Sequence, residues 1–383
     1  MRYLSAGESH GRCLTAIIEG LPAGLPLALD QIDRELARRQ RGYGRGPRMQ
    51  LERDRVQILA GLRGGKTLGS PLAMLIENKD WPNWEKAMDP VSVSAGDMLT
   101  NPRPGHADLP GVLKYRQQDI RNILERASAR ETAMRVAVGA VAKALLALFQ
   151  VQIVSHVVAI GEITAAAVTA PHGGLSILAD KSPVRCLDPE AEKAMMAAIR
   201  TAQEEGDSLG GIFEVIVLEV PWGLGSHVHW DRKLDGRLAQ AIVSIQGVKG
   251  VEFGAGFAGT RLLGSRFHDQ IVLDSRRGFG FTSNNAGGIQ GGMSTSAPII
   301  IRGAMKPIPT LAKPLQTVDI RTKEATTASV QRTDSCAVPA ASIVAEAAVA
   351  WELAVAFMEK FGGDSLAEIR DNYTQYLQAL AEC

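Results

Sequence analysis

The sequence predicts an α/β or α+β fold in one domain spanning residues 1–383. Three observations predict it. Strand-like and helix-like stretches interleave along the chain rather than segregating into halves. A composition of 45% hydrophobic and 22% charged residues with 5% aromatics fits a packed globular protein rich in small side chains. No low-complexity linker, solenoid-length repeat or composition break divides the 383 residues, a length one large domain can hold.

The elements follow in order. Residues 12–19, Arg-Cys-Leu-Thr-Ala-Ile-Ile-Glu, read as a strand. Asp30 opens a helix with Ile32 and Leu36 on one face. Residues 55–60 read as a strand, and 62–70 as a glycine-rich turn region. The polar stretch from about 77 to 110, carrying Trp81, Trp84 and several prolines, reads as a long ordered loop. Ser128 with Glu131 three residues on has the pattern of a capping box, starting a helix to about Leu148 with Met134, Val138, Val141 and Leu145 at helical spacing. Residues 151–160 and 211–220 are strand-like, and 188–204, 231–244 and 341–360 are helix-like. From 276 to 335 glycine, proline, serine and threonine dominate and no periodicity stands out. The stretches 38–50, 77–110 and 276–335 are the expected functional loops.

Net charge and cysteine usage exclude several classes. A formal charge of +1 lacks the broad basic excess of a nucleic-acid binder. Cys13, Cys186, Cys336 and Cys383 are scattered, with neither zinc-ligand nor disulfide-framework spacing, which points to a reducing cytoplasm and no bound metal. The N-terminal residues have no apolar signal core. The apolar stretches 131–149 and 341–361 are interrupted by Arg135, Lys143, Glu346 and Glu352, so no membrane span is expected.

Against that neutral background, residues 38–48 hold five arginines spaced by three glycines and a proline. They read as a loop, because glycine and proline disfavour a helix interior. Guanidinium groups concentrated in a loop grip phosphate or carboxylate through paired hydrogen bonds. His10, in Gly7-Glu8-Ser9-His10-Gly11, sits on a glycine-flanked turn and carries an imidazole, a side chain suited to proton transfer. His106, in Arg103-Pro104-Gly105-His106-Ala107-Asp108, is stiffened by proline and has Arg103 beside it to hold an anion next to a proton donor, with Asp108 read instead as a simple loop cap. Asp334, after Arg332 and Thr333, is a candidate base or half of an ion pair. Residues 287–296 form a glycine-rich loop able to bring backbone N–H groups to a phosphate or a flat ring. Lys306 to Thr310 and Lys313 add cations nearby in sequence. Gly254-Ala255-Gly256-Phe257-Ala258-Gly259, with Asp274 twenty residues past the first glycine, has the form of a dinucleotide fingerprint, although its crossover is short. His227 and His229 share a face if extended but have no third ligand at a useful spacing. On the residues alone three readings stand: an anion-handling enzyme, a nicotinamide-dependent oxidoreductase and an RNA binder.

Several of these motifs together, in order, resemble the chorismate synthase family. They are Gly-Glu-Ser-His-Gly with the strand and Glu-Gly-x-Pro after it, Arg-Gly-Tyr-Gly-Arg-Gly-Pro-Arg, Arg-Pro-Gly-His-Ala-Asp, Glu125-Arg126-Ala127-Ser128-Ala129-Arg130-Glu131-Thr132, Gly-Gly-Ile-x-Gly-Gly, and Arg332-x-Asp334. The pattern departs at Thr333 and Ser335 and otherwise covers nearly the whole chain. The resemblance implies one domain with helices sandwiched between antiparallel sheets, assembled as a homotetramer without membrane or nucleic-acid partners. It implies a carbon–oxygen lyase of the shikimate pathway, which makes chorismate by 1,4-anti elimination of phosphate from 5-enolpyruvylshikimate 3-phosphate. The cofactor would be reduced FMN, with NADPH as a source of electrons. Arg39, Arg45, Arg48, Arg103, Arg130 and Arg332 would bind or flank the substrate anions, with Arg39 and Arg45 also meeting NADP. Arg126, Ala127, Ser128, Gln246, Gly247, Gly291, Lys306, Pro307, Ile308, Pro309, Thr310 and Arg332 would contact the flavin. His106 would serve the leaving phosphate, His10 the flavin's N1 side and Asp334 its N5 side.

Overall fold

The structure, a computed structural model, describes residues 1–46, 53–92, 98–169, 172–274, 278–330 and 334–382. Among the described residues its two largest sheets are antiparallel, with helices between them.

The first sheet contains β1 (Arg2–Ala6), β2 (Cys13–Glu19), β3 (Val56–Ala60) and β4 (Leu72–Glu77), in the order β1-β2-β4-β3. Alternation sets its faces. Leu14, Ala16 and Ile18 of β2 and Leu72, Met74 and Ile76 of β4 are buried inward, whereas Leu4, Ile17 and Leu59 stay exposed. The second sheet contains β5 (Gln152–Ile160), β6 (Ile163–Thr164), β7 (Gly211–Leu218), β8 (Val248–Phe253) and β9 (Ile299–Met305), in the order β8-β9-β7-β5-β6. Phe213, Val215, Val217, Ile299 and Ile301 join the main core. On the opposite face Val154, Ile216 and Leu218 pack with Leu175.

The helices in the middle layer are α1 (Leu29–Gln40), α4 (Thr132–Ala147), α7 (Leu234–Val243) and α8 (Val338–Phe361). α4 touches β1 and β2 on one side and α8 on the other, and α8 lies on β5 and β7. Gly139 makes the α4–α8 approach close: a Cβ there would lie 2.4 Å from Ala347 Cβ. α8 is long and apolar enough to cross a membrane, yet it is largely buried inside the fold. Its one fully buried acid, Glu346, is held by Lys143, Arg38, Arg185 and the Ser155 hydroxyl. Outside this layer run α2 (Asp108–Tyr115), α3 (Arg121–Ala127), α5 (Leu175–Lys181), α6 (Pro189–Glu204) and α9 (Leu366–Ala381).

Three local expectations are corrected. Arg38 and Arg39 belong to the last turn of α1, not to the loop: Leu36 and Arg39 face the interior there, and the glycine at 42 comes too late to end the helix earlier. Ser128 makes no capping box. Its hydroxyl accepts from Arg130 N over a single 3-10 turn before α4, and Glu131 turns instead to Arg135 and Gln246. The capping box that does form is Ser365 with Glu368, on α9. Within 276–335, read as lacking periodicity, β9 is a central strand. Its Ile-Ile-Ile-Arg-Gly run conceals the alternation because apolar side chains point to both faces, and Gly303 leaves room for the Phe213 ring.

The dinucleotide fingerprint is also corrected. β8 pairs antiparallel with β9, while Ile271–Asp274 pairs with Gly278–Phe281 in a separate hairpin, so no parallel βαβ unit exists there. Gly254 and Gly256 have φ of +54° and +45°. A Cβ on Gly254 would meet Asn285 O at 2.2 Å, so this glycine serves the turn and its close packing.

Candidate active site

The site begins with a shared carboxylate. Asp54, just before β3, is buried, and Arg130 Nη1 donates to both its oxygens at 2.7 and 2.8 Å. Arg39 Nη2, from the end of α1, donates to Oδ2 at 2.9 Å. Burial opposes the Asp54 charge, but Arg130 and Arg39 outweigh it and hold the carboxyl below its usual range. Arg39 bears the converse electrostatic penalty: burial, reinforced by Arg130 and Arg45 and opposed by Asp54, pushes it down to about 10. Arg39 Nε is buried with no hydrogen-bond partner among the described residues. Two buried guanidinium groups on one carboxylate leave positive charge that favours an incoming anion.

Hydrogen bonds lead from this group to His10. Arg130 Nε donates to Asn78 Oδ1 at 2.9 Å, and Asn78 Nδ2 donates to Gly11 O at 2.7 Å. That contact fixes the glycine-flanked turn. His10 N–H donates to Glu125 Oε2 at 2.8 Å, its Nδ1 lies 3.0 Å from both Glu125 oxygens, and its ring stacks on Trp84 at 3.9 Å. Arg126 reaches the same turn from α3, donating to Gly7 O and Ser5 O, and Ser128 Oγ donates to Ser9 Oγ at 3.2 Å. Ala127 closes α3 between them.

A second route runs from Arg130 toward His106. Its neighbour Glu131 accepts from Gln246 Nε2 at 2.6 Å. Gly247, at φ +84°, offers its carbonyl to Lys306 N at 2.9 Å, and Lys306 Nζ donates to Gly105 O at 2.5 Å. Burial and Lys249 push the Lys306 ammonium down. Next to Gly105, His106 Nδ1 meets Asp108 Oδ1 at 2.5 Å. Arg103 Nε donates to Asp108 Oδ2 at 2.8 Å, and its Nη1 donates to Thr310 Oγ1 at 3.0 Å. Burial opposes the Asp108 charge, but His106 and Arg103 hold the carboxyl well below the carboxylate range.

The circuit then closes. Ile308 O, between Pro307 and Pro309, accepts from Ser208 Oγ at 2.7 Å, and Leu209 N donates to Ser335 O at 2.9 Å. Beside Ser335, Asp334 Oδ2 pairs with Arg45 Nη1 at 2.7 Å, and its Oδ1 accepts from Gly46 N at 2.6 Å. Arg45 is in electrostatic reach of Arg39, where the circuit began. Six basic side chains, two histidines and five carboxylates thus lie in one connected neighbourhood built from both sheets and the α1 and α4 ends.

A family model described as chorismate synthase matches residues 1–358. The chain belongs to the chorismate synthase family. It is 57% identical over 380 residues to the chorismate synthase of Brevibacillus brevis, with 98% of each chain covered. It is 54% identical over 383 residues to that of Bacillus cytotoxicus, again with 98% of each covered. A solved structure titled "Crystal Structure of Chorismate Synthase" superposes with a TM-score of 0.82 at 43% identity, covering 100% of this chain and 98% of that one. The mixed fold with several antiparallel sheets and no closed barrel is thus that of a chorismate synthase neighbour, and the chain is a lyase of this family.

Most family positions converge on the circuit, with differences. Arg48 and Arg332 lie outside the described residues. Arg103 spends most of its guanidinium on Asp108 and Thr310, so it braces His106. Gly291 stands apart: its hairpin packs against residues 221–224, beyond the Val217–Ile299 end of the second sheet. Lys306–Thr310 leave the Gly211–Met305 end, a seven-residue strand or about 20 Å away. The residue reading did not single out Asp54, Asn78 or Trp84, and it named Glu125 only within a family motif. Trp84 had a signal, an aromatic in a long polar loop. Asp54 lies in Arg53-Asp54-Arg55 and Asn78 at a strand end, with no local pattern to mark them.

Some of these residues could hold an anionic cofactor: Lys306 and exposed Arg126 are suitable cations, and Gln246 Oε1 is a buried acceptor without a partner among the described residues, next to the Gly247 turn. A reduced flavin held there would supply reversible electron donation.

Proposed function

We propose that this chain converts 5-enolpyruvylshikimate 3-phosphate to chorismate and inorganic phosphate by 1,4-anti elimination, in the presence of reduced FMN, as a step of the shikimate pathway to aromatic amino acids. The observation that carries this reading is the pair Arg39 and Arg130 on the single carboxylate of Asp54, with Arg39 Nε unpaired among the described residues and Arg39 pushed down to about 10. Such a site favours a compact polyanion, and this substrate carries two carboxylates and a phosphate.

In this reading the basic side chains bind and orient the substrate. Arg39, Arg45 and Arg130 take its anionic groups, together with Arg48 and Arg332. His106, braced by Asp108 and Arg103, donates a proton to the departing phosphate. His10, held on Glu125 and Trp84, maintains the protonation state of the cofactor edge. Asp334, anchored by Arg45 and Gly46 N, accepts the proton lost from the ring carbon. Lys306, Gln246, Gly247 and Arg126 to Ser128 hold the cofactor. NADPH is the proposed source of electrons, meeting Arg39 and Arg45.

The whole chain is proposed to act as one domain, on the support of a core cluster that runs through both sheets and the helix layer. A homotetramer is the proposed assembly, on the support of the distant Gly291 and of the exposed Ile271, Leu273 and Phe279 on one hairpin. A cytoplasmic location accords with free Cys13, Cys186 and Cys336.

The deciding experiment is anaerobic. Folded protein, reduced FMN and substrate are mixed and phosphate is measured; no release would sink the reading. His106→Ala should retain flavin binding and lose most turnover, and unchanged turnover would remove His106 from the reaction.

A further inference from the structure

Each histidine of the site meets a buried carboxylate through the same ring nitrogen. We infer that Glu125 and Asp108 are positioning residues that hold His10 and His106 with the proton on Nδ1, and so assign proton exchange with reacting groups to Nε2. What Nε2 does rests on the proposed function; the tautomer does not.

For His10 the geometry is direct. Both Glu125 oxygens lie 3.0 Å from Nδ1, and one of them also accepts the His10 backbone N–H at 2.8 Å. An ionised carboxylate can only accept, so Nδ1 donates. Trp84 stacks on the ring with 26° between planes, and the Arg121 guanidinium lies 5.2 Å from the Trp84 ring, so rotation about the Cβ–Cγ bond is resisted.

For His106 two groups compete for Nδ1: Asp108 Oδ1 at 2.5 Å and Arg103 Nη2 at 3.0 Å. A guanidinium only donates and a carboxylate only accepts, so one nitrogen cannot serve both. The shorter contact, and the Arg103 guanidinium that holds Asp108 ionised, assign the Nδ1 proton to Asp108. Arg103 also donates to the same carboxylate, through Nε at 2.8 Å and Nη2 at 3.1 Å, and its Nη2 lies 3.4 Å from His106 Nε2.

In the proposed elimination the C–O bond to phosphate breaks and its electron pair goes to the departing oxygen. The Nε2 proton of the His106 imidazolium moves to that oxygen. The C–H pair left by the departing ring proton forms one double bond, the π pair of the ring's existing double bond shifts to the carbon that loses phosphate, and the departing proton balances the one His106 gave. The imidazole remaining is the Nδ1–H tautomer that Asp108 already holds, so the ring need not turn during the step.

The test is nitrogen-15 NMR of histidine-labelled, ligand-free protein at a pH where the rings are neutral, assigned with His10→Gln and His106→Gln. Both rings should show Nδ1–H. Asp108→Asn should move only His106 toward Nε2–H, and Glu125→Gln should move only His10, the other histidine reporting that the fold is intact. A His106 still wholly Nδ1–H in Asp108→Asn, or His10 likewise in Glu125→Gln, overturns the assignment. If an amide variant does not fold, Asp108→Glu and Glu125→Asp must preserve Nδ1–H, and its loss there counts equally against it. In turnover, kcat of the amide variants should fall about 10²- to 10⁴-fold with little change in KM and recover partly in the charge-preserving ones. A loss carried wholly by KM would refute the positioning role. Wild-type protein that releases no phosphate would remove the proposed reaction, while the tautomer result would still decide the assignment.

Discussion

Arg130 rests on both oxygens of the Asp54 carboxylate, at 2.7 and 2.8 Å, and leaves only part of that carboxylate for Arg39. Arg39 Nε, buried without a partner among the described residues, leaves Arg39 with binding capacity to spare. Arg39→Lys keeps a charge near Asp54 but loses the planar fork. KM for the substrate should rise at least about tenfold, which is about 1.4 kcal/mol of binding, while the thermal midpoint moves little. Steady-state kinetics at constant ionic strength checks this, and an unchanged KM would contradict it.

A second prediction concerns the helix layer. Glu346 is fully buried and satisfies Lys143, Arg38, Arg185 and Ser155 at once. Glu346→Gln removes the one charge those cations share. Removing one partner from a buried ion cluster costs about 3–5 kcal/mol. Urea unfolding should show a loss of that size; a loss under about 1 kcal/mol would mean that water or neighbouring acids compensate.

Gly139 tests the packing of α4 on α8. Alanine at an exposed helical glycine would gain about 1 kcal/mol. Here its Cβ would lie 2.4 Å from Ala347 Cβ, so Gly139→Ala should instead destabilise by about 1–3 kcal/mol. The added Ala347→Gly change should recover part of that loss, which a double-mutant cycle measures. A stabilised Gly139→Ala protein would show that the two helices can move apart freely.

Acid should unfold the protein through a small set of carboxylates. Asp54, Asp108, Glu214 and Glu346 are each buried, and each is nonetheless held below its ordinary range by arginine, lysine or histidine neighbours. In the unfolded chain such groups titrate near 4. The unfolded state therefore takes up protons first on acidification, so stability rises with pH across this range. Their contribution should be complete above about pH 5 and shrink as pH falls through the folded values. Urea midpoints at neutral pH and near pH 3.5 check the sign; equal midpoints would rule it out.

Much was legible in the sequence where short-range chemistry decides the outcome. Alternation located β2 and β5, helical spacing located α4 and α8, and the order of the glycine, histidine and arginine motifs carried the family. His10 and His106 were recognisable because glycine and proline make their turns stiff locally. The GxGxxG pattern misled for the opposite reason: a dinucleotide site needs a parallel strand beside it, and strand direction is set by partners far along the chain. β9 was obscured because both its faces are covered, which removes the two-residue period.

The sequence by itself determined the family, the presence of two strand-rich regions around apolar helices, and the supply of cations for an anion. Only the tertiary structure decided which cations remain open to a ligand. Arg38, Arg39 and Arg103 look alike in sequence, yet Arg38 is spent on Glu346 and Asp180, Arg103 on Asp108, and Arg39 shares Asp54 with Arg130. The physical reason is that a buried charge is defined by its partners within a few ångströms. Asp54 and Arg130 are 76 residues apart in the chain, so the chain had to fold before either residue acquired its role.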